Sequence, residues 1–351
     1  MFKKMKITVT ARALCLIFAV ISVFSLFSCS PNIKNDAYDV DLKEYIRVQD
    51  LSQVVISATE LNTQVMNAFN AVLWNNNLFS AAAEGAQVQM YDKVTVDYDC
   101  IIEGLVINGF SKKDASIYIG SATMLEDIEN GIIGMKAGET KSLNIRFPDE
   151  YYDGMEGIAA TYVITVKSIQ TLSAMTDEIC KEYTDYNSVE ELKAGLTSSI
   201  SAELAFVKLY EESEVIKYPE AEYKVFFDDV SSMERYAEEK KKSLEDVIKE
   251  FGDQFSEYGM SSSMTVEEYR QFCKDYADSE TKEEMLVYYI LRELKVKTSG
   301  SVYEKAKKQL LRDHNMYDEI AYDGTYGQGA MVEAIRYNIM LQALAKVTVA
   351  A

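Results

Sequence analysis

Eight of the chain's sixteen glycines fall between residues 104 and 157: Gly104, Gly109, Gly120, Gly131, Gly134, Gly138, Gly154 and Gly157. They interrupt segments that alternate apolar and polar side chains. Val94, Val96 and Tyr98 alternate with Thr95 and Asp97. Leu143, Ile145 and Phe147 alternate with Ser142, Asn144 and Arg146, and Tyr162, Ile164 and Val166 with Val163, Thr165 and Lys167. A period of two puts one set of side chains on one face of a strand. The pattern predicts a compact β-rich domain over residues 89–171.

The flanks carry a different signal. Ser57/Glu60, Ser188/Glu191, Thr265/Glu268 and Ser301/Glu304 are all spaced as a capping box, in which hydroxyl and carboxylate each satisfy an orphan backbone N–H. Apolar stripes follow. Leu61, Val65, Phe69, Val72 and Leu73 come after Ser57. Leu192, Leu196, Ile200, Leu204, Val207 and Leu209 come after Ser188, in a helix expected to run to Pro219 and stop there. Residues 51–88 therefore read as a helical linker arm and residues 172–351 as an all-α body. The fold class is α+β, an antiparallel sheet module plus a helical body.

Charge excludes several functions. Lys and Arg number 36 against 56 Asp and Glu, a net charge of −20. Removing the four cations of the first 28 residues (Lys3, Lys4, Lys6 and Arg12) leaves −24. That balance argues strongly against binding nucleic acid, which needs clustered positive charge. The single histidine, His314, excludes a multi-histidine metal site, and no metal or cofactor is expected. Cys100, Cys180 and Cys273 contain no paired CxxC spacing. They are read as small buried thiols, with a Cys180–Cys273 bridge as the alternative.

Residues 1–28 read as a secretory signal. A basic segment precedes a 15-residue apolar run at 13–27, too short to span a bilayer comfortably. The run ends in Leu26-Phe27-Ser28-Cys29, which resembles a bacterial lipobox, with a bulky Phe27 where a small residue is usual. A lipid on Cys29 would hold the protein at a membrane on its extracytoplasmic side. Residues 29–50 then form a tether. The alternative is an uncleaved N-terminal membrane helix.

The β region resembles an FKBP-type isomerase domain, and more narrowly the version within the trigger-factor family. Asp92-Lys93-Val94-Thr95-Val96-Asp97-Tyr98 carries the resemblance. So do Gly120, Leu125-Glu126-Asp127-Ile128-Glu129-Asn130-Gly131, Gly134-Met135-Lys136-Ala137-Gly138-Glu139 and Phe147-Pro148-Asp149-Glu150-Tyr151. It covers about 80 residues in order and implies a twisted antiparallel sheet around one short helix at 125–131. Tyr186 to Leu192 and Tyr218-Pro219-Glu220-Ala221 resemble the start of a trigger-factor chaperone body. The basic ribosome-docking domain of that family is not recognisable here, so no ribosome is expected as a partner.

The resemblance implies pocket residues at Tyr98, Met124, Leu125, Ile128, Tyr151 (with Tyr152 as the alternative register) and Ile164. It implies substrate contacts at Ile107, Asn108 and Ala115. Ile107, Ala115 and Ile128 stand where aromatics are frequent, and Asn108 where a carboxylate is usual. A wider, less rigid pocket follows. Two functions stay open. One is a membrane-anchored folding factor that binds unfolded, proline-containing polypeptides and isomerises X-Pro bonds. The other is a non-enzymatic holdase or envelope adaptor with a degenerate pocket. A Met- and Tyr-rich helical body suits adaptable peptide contact in either case.

Overall fold

The computed structural model describes residues 38–121, 124–148, 155–254, 259–314, 316–326 and 329–351. Cys29, Tyr151 and Tyr152 lie outside them. The chain forms two compact units. One is Thr63–Leu196; the other combines residues through Asn62 with Thr197–Ala351.

The first unit is built on strands β1 (Phe79–Ala81), β2 (Lys93–Ile102), β3 (Leu105–Val106), β4 (Lys112–Tyr118), β5 (Thr140–Arg146) and β6 (Ala159–Leu172). The helices up to residue 212 are α1 (Ala58–Asn75), α2 (Glu126–Ile132), α3 (Asp177–Tyr183) and α4 (Val189–Glu212). The two long strands β2 and β6 pair antiparallel from Lys93–Gln170 to Ile101–Thr161. The outer edge of β6 takes β1 and then β5. The outer edge of β2 takes β4 and then β3.

Two bulges converge on one point of β2. On β6, Thr95 pairs with Ser168 and Val96 with Val166, leaving Lys167 over. On β4, Val96 pairs with Ala115 and Tyr98 with Lys112, so Lys113 and Asp114 face Asp97 alone. Asp114 takes φ of 49° and donates its N–H to Asp97 Oδ1 at 2.8 Å. The extra Lys167 pairs with Asp114 and stands 3.7 Å from Asp97. A bulge bends its strand and raises the local twist. Bulges on both neighbours at one level curl the sheet around α2. The β6 bulge also shifts the inward parity, so Ala160, Tyr162, Ile164 and Val166 are buried and then Ile169.

Helix α2 seals the core with Ile128 and Ile132, both fully buried. It lies so close to β5 that a Cβ on Gly131 would fall 2.4 Å from Leu143 Cδ1. The helix runs one residue later than the 125–131 expected from sequence, with Leu125 as its N-cap.

The second unit is mainly helical, with two short strand pairings, Ile46–Arg47 with Glu214–Val215 and Val55–Ile56 with Val349–Ala350, so part of the stretch expected as a tether is packed in, with Leu42 and Ile46 buried. Its helices are α5 (Glu220–Val230), α6 (Ser232–Lys240), α7 (Leu244–Phe251), α8 (Val266–Glu293), α9 (Ser301–Asp313), α10 (Glu319–Tyr326) and α11 (Ala330–Leu344). The 28-residue α8 is about 42 Å long. It carries the full capping box at Thr265 and Glu268. One core cluster gathers Val230, Met233, Val247, Ile248, Tyr269 and Cys273, and the buried Tyr269 hydroxyl donates to the Val230 carbonyl at 2.8 Å.

Three sequence expectations about helix ends are corrected. Helix α4 stops at Glu212, and Pro219 instead starts α5 as its N-cap. Ser301 is inside α9, whose N-cap is Gly300, so no box forms there. At Ser188 half the box forms, Glu191 N–H donating to Ser188 Oγ. The Glu191 carboxylate accepts from Asn187 N–H instead. Cys100, Cys180 and Cys273 are buried free thiols, not a bridge. Among the described residues, no helix is long and apolar enough to cross a membrane.

Candidate functional site

The site residues divide into a buried floor and a half-buried set, the ring, that packs against the same core. The floor contains Ile128 and Ile164, each 0% exposed, and Ala115. Alternation along β6 and β4 turns Ile164 and Ala115 inward, and Ile128, on α2, joins them in one core. Tyr98 is the direct cross-strand partner of Ile164. It lies just past the double bulge, packs on the core while remaining half exposed, and tilts against Tyr162 with ring centroids 5.8 Å apart. Burial pushes its phenol pKa upward, with Cys100 adding to the effect.

Met124 and Leu125 belong to the same ring, half-buried and packed on the core. Their position is set by Glu129, a charged side chain only 4% exposed. Its carboxylate accepts the Gly120 N–H at 2.8 Å and the Met124 N–H at 3.0 Å. Burying a carboxylate is costly unless hydrogen bonds satisfy it; here those bonds tie both ends of the 120–124 segment to α2.

Ile107 and Asn108 lie after β3. Ile107 is half-buried and Asn108 exposed. The Ser111 hydroxyl holds this corner: it accepts the Cys100 N–H and donates to the Ile107 carbonyl, both at 2.9 Å. Tyr151 and its alternative, Tyr152, lie outside the described residues.

Sequence reasoning missed four contributors. Phe110 joins the ring, its centroid 5.7 Å from that of the buried Phe147. Met155 and Ile158 pack on the same core from the segment before β6. Tyr162 is buried beneath Tyr98. Tyr162 stood in a recognised strand, and its inward parity was the available signal. Phe110 sits in a 3₁₀ turn with no periodic pattern to reveal it.

The chemistry this allows is apolar. Among the described residues, no cluster of three or more His, Cys, Asp or Glu is arranged to hold a metal ion. Cys100, the thiol nearest the site, has its pKa raised by burial. Its thiolate, the nucleophilic form, is thereby suppressed. His314 belongs to the other unit, with Nδ1 2.9 Å from the Leu310 carbonyl and its ring edge-on to Tyr322 at 5.2 Å.

This curled sheet, with one short helix sealing an apolar inner face, has a counterpart among known families. Residues 84–170 match the FKBP-type peptidyl-prolyl cis-trans isomerase family, and they form an FKBP-type domain. Over a longer stretch the chain is trigger factor-like. It is 26% identical over 301 residues to the trigger factor of Clostridium acetobutylicum, covering 84% of this chain and 69% of that one. It is 24% identical to a Clostridium botulinum trigger factor, over 72% of this chain and 60% of that one. It is 27% identical to the trigger factor of Caldicellulosiruptor bescii, over 66% and 53%. The chain thus spans between about half and two thirds of these relatives' length. A solved structure described as "Promiscuous Substrate Recognition in Folding and Assembly Activities of the Trigger Factor Chaperone" covers 86% of this chain and 72% of its own. Its identity is 15% and its TM-score 0.29.

Proposed function

We propose that this protein is a folding factor whose FKBP-type domain binds prolyl segments of unfolded polypeptides and isomerises the X-Pro bond. The observation that carries this reading is the ring of Tyr98, Phe110, Met124 and Leu125 over the sealed floor of Ile128 and Ile164. An X-Pro bond turns over a barrier of about 18–20 kcal/mol. Its transition state is a twisted amide without resonance, and needs neither nucleophile nor metal. An apolar site that excludes water and fits the twisted form better than the planar one lowers that barrier. Tyr98 supplies an aromatic wall. Leu125 and Met124, held by Glu129, present backbone at the start of α2 against which the peptide can be oriented.

The helical unit holds unfolded chain while the domain acts. Its exposed Tyr317 and Ile320, 87% and 82% accessible, offer apolar contact to such a client. A lipid on Cys29 keeps the protein on the outer side of the cell membrane, where its clients are secreted chains and not ribosome-bound ones. The Leu26-Phe27-Ser28-Cys29 string supports this.

A second reading, binding without catalysis, draws on Ile107, Ala115 and Ile128, which provide no aromatic faces to grip the proline. A protease-coupled cis/trans assay on a panel of X-Pro tetrapeptides separates the two. Isomerisation above background that disappears in Tyr98→Ala supports the enzyme. A folded protein that accelerates no peptide yet slows aggregation of an unfolded client sinks catalysis and leaves the holdase. For the anchor, Cys29→Ser should release the protein from the membrane fraction; retention there would refute it.

A further inference from the structure

The β2–β3 hairpin turns on two residues, Glu103 and Gly104, with φ of 51° and 80°. Two successive positive φ values make the tight turn that matches strand twist and keeps a hairpin stiff. What this hairpin displays is apolar. Leu105 is 69% exposed and Val106 52%. Register assigns each a face. Cys100 is fully buried on the inner face, so Ile102, two residues on, shares that side and packs on the core. Leu105 is the cross-strand partner of Ile102 and lies on the same face. Ile107 returns to it, its N–H bonded to the Cys100 carbonyl. Val106 pairs with Ile101 on the opposite face. An exposed leucine thus extends the inner apolar surface past Ile102 and Ile107, beyond the ring of Tyr98 and Phe110.

Distance gives this surface a meaning. Tyr98 and Ile102 are four residues apart on β2, about 13 Å along the strand. An extended client advances by nearly the same rise per residue. We propose that Leu105, with Ile102 and Ile107, is an apolar lip that receives a bulky apolar side chain of an extended client about four residues from its proline. The inference rests on the inner-face pocket proposed above and adds a sequence preference to it. A tetrapeptide substrate is too short to reach the lip. The fixed Ser111 corner and the stiff turn make the lip preformed, so little ordering entropy is lost when it is covered.

The test uses the full chain and fluorescein-labelled peptides of eleven residues with a central proline. One set carries a leucine four residues before or after the proline, and the control set carries serine there. Fluorescence anisotropy gives Kd for the wild-type chain, Leu105→Lys and Val106→Lys. One leucine peptide should bind the wild type about fivefold tighter than its serine control, the scale for partly burying one leucine. Leu105→Lys should erase that ratio, and Val106→Lys, on the other face, should keep it. Equal Kd values for leucine and serine peptides, or a ratio that survives Leu105→Lys, overturn the lip. The pocket itself is read separately through Tyr98→Ala. If that variant binds every peptide as the wild type does, the pocket reading fails, while the leucine-to-serine ratio still decides the lip. Absence of binding by any peptide overturns both.

Discussion

The carboxylate of Glu129, on α2, accepts the backbone N–H of Met124, five residues earlier, at 3.0 Å. Its other oxygen takes the Gly120 N–H at 2.8 Å. One buried acid thus sets the position of the segment that brings Met124 and Leu125 against the core. Glu129→Ala leaves two backbone donors without this acceptor, at a cost of roughly 2–4 kcal/mol. Urea unfolding followed by far-UV circular dichroism should show that loss. Glu129→Gln, which keeps one acceptor oxygen, should lose less. Equal stability of Glu129→Ala and wild type would refute the pinning role.

Tyr98 and Ile128 separate pocket from floor. Tyr98 is half-buried, so Tyr98→Ala should remove tenfold or more of any isomerase rate, of the order that general positioning effects reach, while the chain stays folded with a modestly lowered unfolding midpoint. Ile128 is fully buried. Ile128→Ala should cost about 2–4 kcal/mol, and Ile128→Asp should unfold the domain by burying an unpaired charge. Thermal unfolding of the three variants alongside the tetrapeptide assay checks the distinction. A stable Ile128→Asp chain would contradict a sealed floor.

The helical unit should lose stability as pH rises from acid to neutral. On α8, burial and then repulsion from Glu283 and Glu284 push Glu280 up to about 8. Burial pushes Glu283 up to about 7. Burial, then Glu333, pushes Glu284 up to about 7, against opposing effects from Tyr38 and Arg336. Each group keeps its proton in the folded chain at pH values where the unfolded chain has already lost it. Their contribution is intact below about pH 4, falls between about pH 5 and 8, and levels off above. Glu283→Gln should therefore raise the unfolding midpoint at pH 8 by about 2–4 °C and leave pH 4 nearly unchanged. A midpoint that falls at pH 8 would show that the charged carboxylate is stabilised instead.

The three buried thiols should be inert in the native chain. Burial pushes Cys273 up to about 11, and it raises Cys100 and Cys180 as well. Maleimide labelling at pH 7.5, read by peptide mass spectrometry, should leave all three unmodified until urea is added. Fast labelling of Cys273 without denaturant would place it outside the core.

The alternating strands and several capped helices were legible from local pattern alone. Alternation in Val94, Val96 and Tyr98, the capping pair Thr265 and Glu268, and clustered glycines each report backbone preference over a few residues, and local sterics and hydrogen bonding suffice to decide them. Helix ends proved less legible where two local solutions compete. Gly300 displaced Ser301 as a cap, and the chain left α4 at Glu212 well before Pro219.

What tertiary structure decided is the site. Asp97 gathers two bulges because its neighbours on both sides, Asp114 and Lys167, come from strands 17 and 70 residues away, and no local pattern encodes that meeting. Glu129 reads in sequence as one more acid on a short helix. Folding closes it off from water, and its carboxylate must then find donors, which it takes from the segment entering the pocket. Phe110, Met155 and Ile158 enter the ring only because the curled sheet brings distant turns to one inner face. Sequence determined which residues face inward along each strand; the long-range pairing determined which inward faces meet, because burial is a property of the assembled surface and not of any one segment.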